Sequence, residues 1–582
     1  MLWHIGNTTV RTPYRLREAL IVLRNSSLNG NINGREQENK FAASLHEKGI
    51  LNAERIARNE DVSDLGRKWR AALSQLGFLT PKLSRAVKDG SIDQNLLEVT
   101  KNIGILSGRP YEVTPNGNRL ADSETTSAQQ ECFLRSLISY KIPSIIESGY
   151  GCQSFSPLQF ILDIFHKLKE DNQNEVISFN EYALFIQTNS PDDIKKIITN
   201  IIDYRKLREA LPNSKRKFDQ KYYKDVAEKI DKKESTLRDY ADLSFRYLKA
   251  TGLFASSGRG ISISPSRQKL VSLLQQKQET NLSDKEYLLN LWNGAALPTD
   301  NKNSSYLVLQ DLVEQLAKRG VIVECPSHDT PLKELEIERH RLEEKILQLN
   351  EKDYAKKQSE SIEDIILWAE AIIDKKDKKS SNGDNISIPR SEAPAYLEWV
   401  VWRAFLAINS LRNEPWEARR FNIDQDFLPI STAPGNGPDM VFEFEDAIVV
   451  VEVTLTSSSR QEAAEGEPVR RHVARYVENG GDKAVFGLFM ALSIDSNTAH
   501  TFRLGDWYRK DDTKISLDIV PITLRDFLKI MTFSKERLAA MPQILKQLLI
   551  ECRSKANQDA PQWKNTISTI IDRLSRNGVA NS

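Results

Sequence analysis

Two carboxylates bracket an apolar run in Gly437-Pro438-Asp439-Met440-Val441-Phe442-Glu443-Phe444-Glu445-Asp446-Ala447-Ile448-Val449-Val450-Val451-Glu452-Val453-Thr454. Asp439 opens one predicted strand, Glu445-Asp446 makes a turn, and Glu452 follows the unbroken run Ala447 to Val451 on the next strand. If the strands form a hairpin, the two carboxylates meet beside the Val453 carbonyl. A carboxylate on a buried strand is costly unless a cation or a strong donor compensates it. Hard divalent cations such as Mg²⁺ want oxygen ligands of this kind, commonly one or two carboxylates with water and substrate phosphate. The chemistry this pair suits is metal-assisted hydrolysis at a phosphate. The plainer alternative is that Asp439 caps a turn and Glu452 pairs with a nearby Arg.

Three more residues belong to this region by type. Glu465 and His472 are seven apart in Arg460-Gln461-Glu462-Ala463-Ala464-Glu465-Gly466-Glu467-Pro468-Val469-Arg470-Arg471-His472. On a continuous helix that spacing puts them on one face, two turns apart. Pro468 between them predicts a kink or a second helix start. His472, beside Arg470, Arg471 and Arg475, suits a general acid or base, or a phosphate contact. Glu398 is the only acid in the apolar and aromatic stretch Tyr396 to Phe405; its plain reading is a salt bridge with Arg403 or an exposed helix face.

The elements that must position these groups read as α/β. A helix is predicted over Ala395 to Leu411, then the hairpin, a helical region from Gln461 to Val477, strands near Ala484 to Ile494 and Ile515 to Ile522, and a closing helix from Thr523. The run Ala447 to Val451 predicts a central strand covered on both faces.

The front half contains one pattern twice. Arg70 to Leu79 followed by Tyr111 to Leu120, and Phe245 to Phe254 followed by Gly260 to Leu270, each read as an amphipathic helix ended by Gly, a short hairpin, and a Thr or Ser before Pro that starts the next helix. This is the outline of a winged-helix unit, whose helix before the hairpin can enter the DNA major groove. From Ile201 to Leu270 there are 17 Lys and Arg against 9 Asp and Glu. That excess makes Lys215, Arg216, Lys217, Arg246, Lys249, Arg259 and Arg267 candidate DNA-binding residues, against the alternative of an ordinary solvated helix face. Leu332 to Lys379 predicts a long helix or helical hairpin, with Leu335, Ile337, Leu342, Ile346 and Leu349 at helical spacings and a loop at Ser380 to Asn385.

At 582 residues the chain is too long for one core. The expected division is 1–130 and 131–280 as two winged-helix-like DNA-recognition subdomains, 281–390 as a helical linker, and 391–582 as the catalytic α/β domain. The fold class expected is therefore multidomain α+β. The longest apolar run is far too short for a membrane span, and the start Met1-Leu2-Trp3-His4 lacks the layout of a secretory signal, so a cytoplasmic protein with no membrane partner is expected. Cys132, Cys152, Cys325 and Cys552 are scattered, which excludes a zinc knuckle or a redox pair. The net charge of +1 leaves only local basic surfaces to attract nucleic acid.

The order Leu397-Glu398-Trp399-x-x-Trp402, Ala433-x-Gly435-Asn436-x-Pro438-Asp439-Met440, Glu452-Val453-Thr454 and Glu465-x-Glu467-Pro468-Val469-x-Arg471-His472 closely resembles the AlwI-type family of type IIS restriction and nicking endonucleases. The strong match spans about 80 residues of the C-terminal third; Tyr247-Leu248-x-x-Thr251-Gly252-Leu253-Phe254 extends a looser likeness into the front half. The resemblance implies a PD-(D/E)xK nuclease domain with Asp439, Glu452 and the Val453 carbonyl on a Mg²⁺ ion, and Glu398, Glu465 and His472 at further active-site positions. It also implies double-stranded DNA as the partner, with a short asymmetric site of the GGATC or GAGTC kind cut several nucleotides downstream. The chain departs from the wider PD-(D/E)xK pattern at Thr454, which stands where a Lys is usual. The role of that Lys must then fall to His472, to an Arg, or to a second metal. A strand-specific nickase is the nearest alternative, because one active site cuts one strand and a second cut needs a transient homodimer or another nuclease subunit. An inactive DNA-binding protein is the alternative of another class.

Overall fold

The computed structural model describes residues 1–51, 56, 60–81, 109–147, 149–211, 213–276, 282–380, 385–390, 392–456 and 460–577. The chain divides into two units, Met1–Ile346 and Leu347–Ser582. Among the described residues no helix is long and apolar enough to cross a membrane.

The first unit is mostly helical. Helix α1 (Ser63–Gln75) buries Trp69, Ala72 and Leu73 and ends at Gly77, whose φ of 72° lies in the left-handed region. A side chain there would collide with Leu291, so both conformation and space select glycine. Leu79 pairs with Val113, and α2 (Pro115–Asp122) begins at Thr114, whose hydroxyl accepts the Gly117 N–H. Proline in the first turn costs nothing because its missing N–H has no helical acceptor. The hairpin expected between Leu79 and Tyr111 lies largely outside the described residues.

The same sequence of elements recurs further on. The basic helix α3 (Lys215–Lys229) precedes α4 (Glu234–Ala250), which ends at Gly252 with φ 72°. The hairpin β1 (Phe254–Ser257) and β2 (Gly260–Ile263) follows, and the short strand Ile177–Ser178 pairs with β2 as the third strand. Ser264-Pro265 then leads into α5 (Gln268–Gln275).

The helical region expected over Leu332 to Lys379 is two helices, α6 (Leu332–Lys356) and α7 (Ile362–Asp374), joined by a single turn at Gln358–Ser361. Leu335, Leu342 and Ile346 are buried, but Ile337 is 62% exposed. Two residues past Leu335 a helix has turned through more than half a circle, so Ile337 cannot share its stripe. The middle of the loop expected at Ser380 to Asn385 lies outside the described residues.

The second unit is built on a four-stranded sheet ordered β6-β5-β4-β3, from β3 (Met440–Glu443), β4 (Ala447–Thr454), β5 (Ala484–Ala491) and β6 (Asp518–Thr523). β3 and β4 form an antiparallel hairpin; β4, β5 and β6 run parallel. Ala447 to Glu452 are all buried, as a strand paired on both sides requires. Helix α8 (Ala393–Ala407) precedes the sheet, and its Phe405 stacks on Phe442 at 4.0 Å between ring centres. Helix α9 (Gln461–Asn479) makes the crossover from β4 to β5, with Val473 against Gly487. Helix α10 (Leu524–Ser534) starts at Thr523, whose hydroxyl accepts the Asp526 N–H.

Helix α9 corrects one of the two alternatives expected at Pro468, a second helix start. It runs unbroken through the proline. The lost hydrogen bond would have gone to the carbonyl of Ala464, four residues back, and Ala464 is exposed, so water can take its place. Val469, His472, Val473 and Ala474 are buried along the next turns and hold the helix to the sheet.

Candidate active site

The hairpin register decides where the carboxylates go. Met440 pairs with Val451 and Phe442 with Val449, so one further step places Asp439 opposite Glu452. Paired residues share a face and successive residues alternate. Phe442 points toward α8; Asp439 and Glu452 therefore point to the other face, where α9 lies. There Glu452 Oε1 is 2.5 Å from His472 Nδ1. Asp439 Oδ2 accepts the Val453 N–H at 2.8 Å. Because α9 is continuous, Glu465 lies on the same side of that helix as His472, and its carboxylate accepts from the Thr454 hydroxyl. Thr454 is two residues after Glu452 and shares its face.

Glu398 joins from α8. It is buried, and its Oε2 accepts the Ala433 N–H at 2.7 Å. It makes no salt bridge with Arg403, whose guanidinium binds Gln358 at 2.7 Å and Asp364 at 3.1 Å. Nor does Glu452 pair with an arginine, since its partner is His472.

Burial and mutual repulsion set the charge state. Burial raises the Glu398 carboxyl well above its ordinary value, and the charge of Asp439 adds to this. Asp439 is raised well above its range by burial and then by Glu452. Burial followed by Glu465 pushes Glu452 up to about 8. Glu465 is also raised, chiefly by burial. His472 moves the other way, lowered to about 4 by burial and then by Arg471, Arg475 and Arg420. It is neutral near pH 7.

A divalent cation fits this donor set. Four acids gathered in a dry site oppose one another's ionisation, and a positive ion among them removes that opposition. Among the described residues no three His, Cys, Asp or Glu side chains converge closely enough to hold an ion by themselves. The remaining ligands would have to come from backbone, water or phosphate, which is the usual pattern for Mg²⁺. Within the cluster itself, the buried His472 Nε2 also lacks a protein partner. Neutral, with Nδ1 committed to Glu452, the ring can offer Nε2 to something that enters from outside.

A residue the sequence reading did not single out is Arg420. Arg419 pairs with Met440 at the open edge of β3, and the Arg420 N–H donates to the Asp439 carbonyl. Its charge reaches both Glu452 and His472. Nothing in the spacing marked it, since it lies nearly twenty residues before Asp439 and arrives there only through sheet pairing.

The basic residues of the first unit are less uniform than their sequence suggests. Arg216, Lys217, Lys221 and Lys224 are exposed on α3, and Lys215 is half-buried at its start. On α4, Arg246 binds Asp242 at 3.0 Å and Lys249 donates to Ser256; Arg259 is exposed in the hairpin turn. Arg267 is a correction. It is buried, ion-paired with Glu343 and 3.3 Å from the Gln130 amide oxygen, so its charge is spent inside the fold.

The solved structure of the small subunit (R.BspD6I2) of the heterodimeric restriction endonuclease R.BspD6I is similar at 26% identity, covering 36% of this chain and 97% of that one, with a TM-score of 0.28. No curated protein matches the chain significantly. The family described as AlwI restriction endonuclease matches residues 74–530, a span that contains both the basic helices and every residue of the carboxylate cluster. The chain belongs to the AlwI restriction endonuclease family.

Proposed function

We propose that the chain is a type IIS restriction endonuclease. It would bind a short asymmetric double-stranded DNA site through its first unit and hydrolyse phosphodiesters outside that site with the cluster in its second. The observation that carries this reading is the gathering of Glu398, Asp439, Glu452, Glu465 and a neutral His472 at one end of a buried sheet. The two helix-glycine-strand units act as winged-helix DNA readers within 1–130 and 131–280, the helices of 281–390 link them to the nuclease domain 391–582, and Arg216, Lys217, Lys249 and Arg259 lie among the phosphate contacts. Recognition and hydrolysis then belong to different parts of one chain, and cleavage outside the site follows.

Asp439, Glu452 and the Val453 carbonyl would hold Mg²⁺. What such an ion supplies when bound is Lewis acidity toward phosphate and water. The chain's own groups do the rest. With Glu452 ionised, His472 donates its Nδ1 proton to that carboxylate, which leaves the Nε2 lone pair as a base. Nε2 takes a proton from water as the water oxygen bonds to phosphorus in line with the leaving ester oxygen. The bond to that oxygen breaks, and the oxygen departs with the electron pair and is then protonated. Asp439, fixed by the Val453 N–H, keeps its position throughout.

Among the described residues there is one such cluster, so each copy cuts one strand at a time. Double-strand cleavage then needs a transient homodimer or a second nuclease subunit, and a nicking enzyme is the second reading. A supercoiled plasmid carrying the site, incubated with Mg²⁺, tests both. Linear product supports the double-strand cutter, open circle alone supports the nickase, and untouched plasmid with retained site binding would leave an inactive DNA-binding protein.

A further inference from the structure

Two adjacent arginines at the edge of β3 have opposite fates. Arg419 is committed: Nε and Nη2 bind both oxygens of Glu351 at 2.7 and 2.8 Å, and Nη1 donates to the Phe421 carbonyl. Arg420 is oriented but not neutralised. Its Nη2 donates to Asn436 Oδ1 and its Nη1 to the Pro438 carbonyl at 3.4 Å, both uncharged acceptors. Among the described residues no carboxylate forms an ion pair with it. Its charge acts instead on Glu452 and His472 of the cluster.

The guanidinium lies against Gly437, where a Cβ would sit 2.0 Å from Nη1 and 2.7 Å from Cζ. The loop Asn436-Gly437-Pro438 is thus shaped to hold the group beside Asp439. Of the other arginines near His472, Arg471 binds Glu467 at 3.0 Å, Arg470 donates to the Asp506 carbonyl and lies over the Trp507 ring, and Arg475 is exposed on α9. The position two residues after Glu452 holds Thr454, whose hydroxyl serves Glu465 and which has no charge to offer a phosphate.

We propose that Arg420 contacts the scissile phosphate and supplies the cation that the lysine position, Thr454, lacks. The inference rests on the nuclease reading of this cluster. As the bond from water to phosphorus forms and the ester bond breaks, negative charge grows on the non-bridging oxygens. A planar guanidinium with spare donors suits those oxygens, and neutral acceptors behind it orient it without reducing its charge.

Single-turnover cleavage of plasmid DNA with Mg²⁺, measured beside site binding with Ca²⁺ in place of Mg²⁺, tests this. The R420Q variant should cleave about 100-fold more slowly, the usual consequence of removing one charge-stabilising donor, while binding its site as tightly as the parent. R420K should recover part of the rate, and added guanidinium ion should partly rescue R420A, which a purely structural role would not allow. G437A, whose backbone conformation any residue adopts, should displace the guanidinium and slow cleavage without removing charge. R420Q cleaving within about threefold of the parent, while D439A is dead, overturns the proposal and leaves the nuclease reading intact. D439A cleaving normally removes this cluster as the nuclease site, the reading on which the proposal rests. If R420Q fails to fold, a folded G437A decides: slowed cleavage supports the role, and the parental rate refutes it.

Discussion

Replacing Glu452 by Gln should abolish cleavage and yet make the metal-free protein more stable. Gln keeps the size of the side chain and can still hydrogen-bond His472 Nδ1, but it cannot ionise. In the folded chain Glu452 titrates at about 8 instead of its ordinary 4.5. Below pH 4.5 the residue is protonated whether folded or not and costs nothing. As pH rises from 4.5 toward 8 the unfolded chain ionises first, so the folded state loses about 1.4 kcal/mol of relative stability per pH unit, and above 8 the loss stops growing. At pH 7 the accumulated penalty is about 3 kcal/mol at most, and E452Q removes it. For a unit of this size that corresponds to a rise in Tm of up to roughly 10 °C. Thermal unfolding of parent and variant in chelator, at pH 5 and at pH 8, reads this out. The two should unfold at similar temperatures at pH 5, and E452Q should lead at pH 8. Adding Mg²⁺ should raise the parent's Tm and close the gap, because an ion among the acids relieves the same repulsion. A variant that is equally stable or weaker in chelator at pH 8 would refute the idea that a strained carboxylate waits here for a cation.

D439A should lose Mg²⁺-dependent cleavage while its site binding in a gel-shift assay stays near parental; cleavage at the parental rate would remove Asp439 from the site. H472A should cleave about 100-fold more slowly or worse, as for loss of a general base, and because His472 is held down to about 4 the parent's rate should show no histidine limb near pH 6.5 in a pH–rate profile. Changing both Arg216 and Lys217 to Ala should weaken binding of all sequences alike and flatten the salt dependence of log K by about 0.9 for each phosphate no longer neutralised, measured by salt titration. R267A should instead destabilise the fold by about 3 kcal/mol in denaturant melts, since it strips one partner from buried Glu343, without changing that salt slope.

The hairpin was legible because its signals are local. Ala447 to Val451 is long enough and β-branched enough to be only a buried strand, and the turn residues fix which carboxylates face each other. The helix seams were legible where residues follow the 3.6 period, as at Leu335 and Leu342, and misleading at Ile337, which does not. Pro468 misled for a different reason: its penalty is real, but an exposed carbonyl at Ala464 and a buried face at Val469 to Ala474 outweigh it. What sequence could not reveal were pairings set by distance in space. Arg267 looks like its basic neighbours until Glu343, 76 residues away, claims it. Arg420 looks like Arg419 until one meets Glu351 and the other reaches the acids.

The turn between β3 and β4 carries a consequence for how this protein tolerates change. Phe444, Glu445 and Asp446 span it, pinned by the Phe444 N–H on the Ala447 carbonyl at 2.8 Å, by Lys483 on Glu443 at 2.6 Å and by Lys546 on Asp446 at 2.5 Å. Those three residues count out the chain that brings Asp439 level with Glu452. Lengthening or shortening the turn by one residue, with pairing re-formed one step along, would turn Glu452 toward the face of Phe442 and bring a valine to meet Asp439. Every residue of the cluster would still be present in such a variant, and the cluster would not exist. Insertions and deletions here are thus as damaging as substitutions of the acids themselves, and a comparison of homologues should find the length of this turn held as strictly as any side chain.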